Sequence, residues 1–336
     1  MAKEGKQPAN VIDWLLEPED PGVRYLTLRD LVKADAKKLA PAKKAAHEVG
    51  PIAVVLKNMH PEGYWQVPGP CYNPKYTGTV WSMTLLGQLG ASIDMDRRLG
   101  TACVYLLDHS LTKYGAFTAS GTPSGFLDCL QGNLCCSLLA TGCTDPRLDK
   151  AIEWMARSVT GEGIAPFTDK KSKIRYYAAK NGPVFACSGT MGEPCAWGAV
   201  DVMLAFGRLP ADKRTPLVGR AIKKGVDFLF SKDPATADYP LGFGSSGQPS
   251  RNWWKFGFPN FYVADILQIA EALASLGYGK DPRLANALEI IRNKQDSQGR
   301  WSLEYDYKGK TWVDFGPKKQ PNKWVTLRAL RVLDMV

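Results

Sequence analysis

With 336 residues and 45% hydrophobic content, the chain can bury a large core, as two domains or as one repeat-built domain, and its composition is neither disordered nor collagen-like. Its 43 basic and 33 acidic residues leave a net charge of +10, but apart from "KKSK" at 170–173 and pairs such as Lys318-Lys319 the surplus is scattered. Without an arginine-rich strip or a nucleic-acid motif, nucleic-acid binding is not expected.

Apolar runs are broken by Gln, Asn, Asp or Arg before the roughly 18–20 residues that a bilayer requires. The opening "MAKEGKQPANVIDWLLEPEDP" has no apolar core of secretory-signal length, so a cytoplasmic protein without a transmembrane segment is expected. Eight cysteines in a chain this long, with no Cys-x-x-Cys spacing, argue against a disulfide scaffold, and most read as buried small hydrophobes.

Residues 1–20 read as an N-terminal extension with a first helix, and 21–336 as one domain built from two alternating kinds of helix. The first kind is apolar nearly all round: "VRYLTLRDL" at 23–31, then segments from Thr79, Leu127, Pro194, Asn260 and Asn322. A helix of that pattern is buried on all sides. The second kind is amphipathic, opens near a Pro and closes on a Gly turn, with copies from Gly50, Met95, Asp145, Thr215 and Asp281. "DPRLDKAIEWM" and "DPRLANALEII" show the repeat most plainly, and Tyr25-Leu-Thr-Leu-Arg matches Trp324-Val-Thr-Leu-Arg at the two ends. Six inner helices with outer partners predict an all-α fold, an (α/α)6 toroid in which closure removes exposed ends; an open superhelix is the alternative. The stretches 161–192 and 231–258 are too long for plain connections and read as functional loops.

"LEIIRNKQDSQGRWSLE", with Gln295, Gly299 and Trp301, resembles the Gln-x-x-x-Gly-x-Trp repeat of squalene cyclases and related terpene cyclases, and "VLKNMHPEGYW" resembles a weaker copy. Over residues 20–336 the chain resembles the α/α-toroid superfamily of terpene cyclases and protein prenyltransferase β-subunits. The resemblance implies the fold more than an activity. The cyclases' Asp-x-Asp-Asp acid has only Asp94-Met-Asp-Arg97 as its nearest match, which reads as a turn and helix start. The prenyltransferases' zinc ligands, Asp-x-Cys and a later His, find Asp128 and Cys129 adjacent and no His beyond His109.

Aligned on their apolar pattern, the inner helices place Tyr25, Trp81, Cys129, Cys195, Tyr262 and Trp324 at one level, toward one mouth of the ring. The aromatics suit an isoprenoid chain or alicyclic ring. Cys129 and Cys195, beside Asp128 and near Glu193, sit where helix N-termini lower a thiol's pKa. The catalytic candidates are therefore Asp128, Cys129, Cys195 and Cys187, and the substrate-binding candidates Tyr25, Trp81, Trp197, Trp254, Tyr262 and Trp324. "SRNWWKFGFPNFY" at 250–262 and "RYYAAK" from Arg175 add substrate lips.

No cofactor motif is present, but Asp128, Cys129, Cys187 and Cys195 would make a four-ligand zinc set. The expected function is a lyase, isomerase or cyclase acting on a small apolar substrate in the central cavity. The alternatives are a carbohydrate-active enzyme using Asp128, Glu193 or Asp265, and a non-catalytic scaffold for a lipid or partner. Nothing in the sequence sets the oligomeric state.

Overall fold

Several helix starts in this chain are fixed by side chains that accept otherwise unpaired backbone N–H groups. Asp20 accepts from Val23 (3.3 Å), Asp35 from Lys38 (3.0 Å), Thr215 from Val218 (3.3 Å) and Asn322 from Val325 (3.1 Å). The computed structural model describes residues 9–239 and 250–336. Part of the N-terminal extension and part of the expected 231–258 loop lie outside the described residues.

The helices are α1 (Ala9–Leu15), α2 (Pro21–Asp30), α3 (Ala36–Glu48), α4 (Pro51–Lys57), α5 (Thr79–Leu89), α6 (Arg98–His109), α7 (Asp128–Thr141), α8 (Arg147–Thr160), α9 (Arg175–Lys180), α10 (Ala196–Arg208), α11 (Pro216–Leu229), α12 (Ile266–Leu273), α13 (Ala285–Asn293) and α14 (Lys323–Asp334). Only isolated β-bridges interrupt this all-α pattern among the described residues.

The two expected kinds of helix are both present. In α8 the buried residues Leu148, Ala151, Ile152, Met155 and Val159 recur at helical spacing on one face, whereas α5 is buried without a break from Thr79 to Leu86. Inner helices pack in the order α5, α7, α10, α12, α14, α2. The remaining link, α2 to α5, is made at Gly90, whose left-handed backbone (φ 80°) ends α5 and leaves no room for a side chain against Leu26. This neighbour order is the one expected of a closed ring.

Outer helices α6, α8, α11 and α13 each pack on the inner helix beside them. The tightest seam is between α7 and α10, where a Cβ on Gly132 would stand 2.3 Å from the Asp201 carbonyl carbon.

Equivalent anchors recur around the ring. The Trp65 indole donates to the Val55 carbonyl (2.7 Å) and the Trp301 indole to the Ile291 carbonyl (2.7 Å), each ten residues back. Their backbone amides donate to Thr79 (3.0 Å) and Thr326 (2.9 Å), one on each following inner helix. Phe117 occupies the corresponding place, its amide donating to the Gln131 side chain on α7 (2.8 Å). Aspartates 96, 145 and 281 each clip the arginine two residues on, accepting its amide and its side chain before α6, α8 and α13. The Asp94–Arg97 stretch is thus the turn and helix start its sequence predicts.

Candidate functional site

A cavity of about 110 Å³ opens at the N-terminal ends of α7 and α10, walled by Tyr72, Leu127, Phe185, Trp197 and Tyr262. Asp128, Cys129, Cys187 and Cys195 all line it. The chain brings them together by two local devices. First, Gly198 near the start of α10 lets that helix approach α7 closely: a Cβ there would stand 3.2 Å from the Asp128 Cβ.

Second, residues 185–195 form a tight hairpin-like loop, closed by Cys195 N to Phe185 O (2.8 Å) and Cys187 N to Glu193 O (3.3 Å). Met191 and Gly192 turn it with φ of 57° and 91°. Across this loop Cys187 and Cys195 line the same cavity.

The thiols differ sharply in character. Hydrogen bonding from Cys195 lowers Cys187 to about 6, with the Gly189 and Thr190 amides assisting, against the opposing effect of burial. The same contact raises Cys195 well above the ordinary range, and burial does the same to Cys129. Cys129 and Cys195 stand at the starts of α7 and α10 as expected, but the helix ends do not lower their thiols. Burial outweighs the helix end, and Cys187, on the loop, has the thiolate character.

Asp128 is 8% exposed, and burial raises it to about 7. Its geometry gives the same answer. Three links, Asp128 to Ser158 (2.6 Å), Ser158 to Tyr177 (2.5 Å) and Tyr177 to the Gly182 carbonyl (2.9 Å), share only two hydroxyl protons. All three are satisfied together when the carboxyl supplies the third. Its Oδ2 atom is buried with no partner among the described residues, and so is the Trp197 indole nitrogen in the same cavity. Two unpaired buried polar atoms in one pocket mark the place where a ligand's polar group would be met.

The aromatic candidates divide. Trp197 and Tyr262 line the cavity, and Trp81 stands behind them, 5.9 Å from the Tyr262 ring and 5.0 Å from Tyr72. Tyr25 and Trp324 do not reach it, because α2 and α14 lie across the ring from α7 and α10. Trp324 stacks on Phe258 (4.6 Å) and fills the space over Gly22. Trp254 is turned away and bonds the Ala235 carbonyl (2.8 Å). Tyr262 itself precedes α12 instead of belonging to it, since Asp265 caps that helix.

Of the other carboxylates, Glu193 is exposed and Asp265 is taken up by a structural ion pair with Arg328. Tyr176 is exposed, while Tyr177 is buried in the Asp128 chain. Sequence reading missed Ser158, on an outer helix, and Tyr72 and Lys75, whose ammonium lies 4.8 Å over the Tyr262 ring. No periodic signal could have found them, because each lies off the inner-helix register.

The zinc set does not fit. Among the described residues no three His, Cys, Asp or Glu side chains are placed to hold a metal ion. Asp128 is turned to Ser158, and two of the three thiols hold their protons firmly. The cavity instead predicts selective alkylation: iodoacetamide should modify Cys187 first, with a rate midpoint near pH 6, and Cys195→Ala should move that midpoint upward. Peptide mapping across a pH series measures both.

No helix among the described residues is long and apolar enough to cross a membrane. No family model matches the chain, and no curated protein matches it. A solved structure described as a protein from Actinoplanes is similar over 88% of this chain and 98% of its own, at 10% identity and a TM-score of 0.31, a level at which it is no guide to the fold.

Proposed function

We propose that this chain is an enzyme of the terpene-cyclase-like ring class, a lyase or isomerase acting on a small apolar alcohol in the aromatic cavity at the mouth of α7 and α10. The observation that carries this reading is the meeting, in one aromatic pocket, of the Cys187 thiol with a buried Asp128 whose second oxygen has no partner among the described residues. Their opposite shifts, Cys187 to about 6 and Asp128 to about 7, support a base and an acid held ready together. The paired Trp65 and Trp301 anchors support the ring class.

In a dehydration, Asp128 gives its proton to the substrate hydroxyl, the C–O bond breaks and water leaves. The Cys187 thiolate removes a proton from the neighbouring carbon, and that C–H electron pair becomes the new double bond. Asp128 then recovers its proton from the Cys187 thiol, because it holds the proton more tightly, and both groups are reset. Trp197 Nε1 is available to hold the departing oxygen, and the Tyr72, Trp197 and Tyr262 faces suit positive charge developing at carbon. We place the protein in the cytoplasm.

The test is to incubate the protein with acyclic and alicyclic isoprenoid alcohols and follow alkene formation or double-bond migration by gas chromatography. Conversion by the wild type that Cys187→Ser abolishes is expected. Conversion that persists in Cys187→Ser, or none with any alcohol, would overturn the proposal.

A further inference from the structure

A second cavity of about 70 Å³ is lined by α5, α7, α10, α12 and α14. Between it and the aromatic cavity lies Asn133, whose amide bonds the Cys129 carbonyl (2.8 Å), Asp201 (3.0 Å) and the Phe261 carbonyl (3.2 Å). The second cavity shares Leu204, Arg208, Glu271 and Arg331 with a recess at the C-terminal ends of the inner helices, and opens there. Inner helices read as apolar on all sides thus turn charged side chains into the bore. These are Asp201 and Arg208 from α10, Glu271 from α12, and Arg328 and Arg331 from α14.

The charges are unevenly paired. Asp30 serves two guanidiniums, Arg29 and Arg331, and Asp265 serves Arg328. Arg208 donates to the Cys136 sulfur (3.0 Å), and neither it nor Glu271 has an ion-pair partner among the described residues. Asp201, 2% exposed, has its carboxyl pKa pushed well up by burial and uses one oxygen on Asn133. The guanidiniums of Arg29, Arg208, Arg328 and Arg331 share the bore and recess with the carboxyls of Asp30, Asp201, Asp265, Glu271 and Asp334, and of these guanidiniums Arg208 alone has no carboxylate within ion-pair distance among the described residues.

Arg331 carries the consequence. Its Nε is buried with no hydrogen-bond partner among the described residues, and burial, with Arg29 and Arg208 nearby, weakens its hold on its own proton. A buried guanidinium nitrogen without an acceptor is costly until one joins it.

We infer that this bore is a binding site for a small oxyanion, a carboxylate or phosphate group seated between Arg208 and Arg331. Guanidiniums offer paired N–H donors that match both groups. Entry is from the C-terminal end, opposite the aromatic cavity, so the site is independent of the chemistry proposed there.

Isothermal titration with sodium phosphate and with sodium succinate, each against sodium chloride at equal ionic strength, tests this. Saturable binding of one anion per chain is expected, weakened about tenfold or more in Arg208→Gln and unchanged in Cys187→Ser. Phosphate binding alone assigns a phosphate site, and succinate binding alone a carboxylate site. Arg208 is solvent-accessible, so its substitution leaves the fold in place, which circular dichroism verifies. Binding of neither anion above chloride, or equal binding by Arg208→Gln, would overturn the inference.

Discussion

Asp128→Asn is expected to lower alcohol conversion by about 10²–10⁴-fold, the usual contribution of a positioned general acid. An amide fills the same space but has no acid proton to give. In the wild type, activity should rise with pH as Cys187 loses its proton near 6 and fall as Asp128 loses its own near 7, giving a narrow optimum between them. Because the two groups interact, these are apparent values of the pair. In Asp128→Asn the falling limb should vanish from the residual activity, leaving a plateau above pH 7.

Stability separates this from misfolding. Asp128 has a folded-state pKa above its unfolded value, so its stabilising contribution is fully present below about 4 and is lost as pH rises through about 7. At pH 8 the wild type has lost it, and Asp128→Asn should then be at least as stable as the wild type. Paired pH–rate profiles and urea titrations at pH 5 and 8 measure both effects. An unchanged falling limb in Asp128→Asn would remove Asp128 from the acid role.

Helix type and neighbour order were legible in the sequence because each follows from a repeated local pattern. Outer helices show an apolar stripe, inner helices show none, and Tyr25-Leu-Thr-Leu-Arg matching Trp324-Val-Thr-Leu-Arg marked the first and last inner helices as equivalent units, which the structure packs side by side. The same pattern located Asp128, Cys129 and Cys195 at helix starts. It could not rank the thiols, since Cys187 owes its low pKa to a loop contact with Cys195 and not to any helix end. Level in a ring is not proximity: Trp324 shares the register of Cys195 yet lies across the ring, stacked on Phe258. The polar bore was hidden for another reason. Single charges such as Asp201 and Arg328 disappear into an averaged apolar helix, although the direction in which each points decides what the ring can hold.

Asp265→Ala should be among the most damaging single changes to stability, at about 3–5 kcal/mol, because it strands a buried charge. Asp265 is 4% exposed and Arg328 6%. Their pair is met at 3.3 Å on both carboxylate oxygens, and the same guanidinium donates to the Gly257 carbonyl (2.6 Å). Asp265 also begins α12 through a capping box, accepting from Gln268 N (2.7 Å) while its own amide donates to the Gln268 side chain (3.2 Å), a cap worth about 1 kcal/mol. Alanine removes both, but the larger part of the loss comes from Arg328, left in the interior without its counter-charge.

The double substitution Asp265→Ala/Arg328→Met should recover much of what Asp265→Ala loses, since no charge is then left unpaired. Urea midpoints for the single and double substitutions measure the difference. A loss near about 1 kcal/mol for Asp265→Ala, with no recovery in the double substitution, would mean that the cap alone matters. Against a total stability of about 5–15 kcal/mol for a typical protein, the expected loss is large. It would also reach the aromatic cavity, because the segment held by the Asp265 and Arg328 contacts to Gly257 carries Tyr262 into its wall.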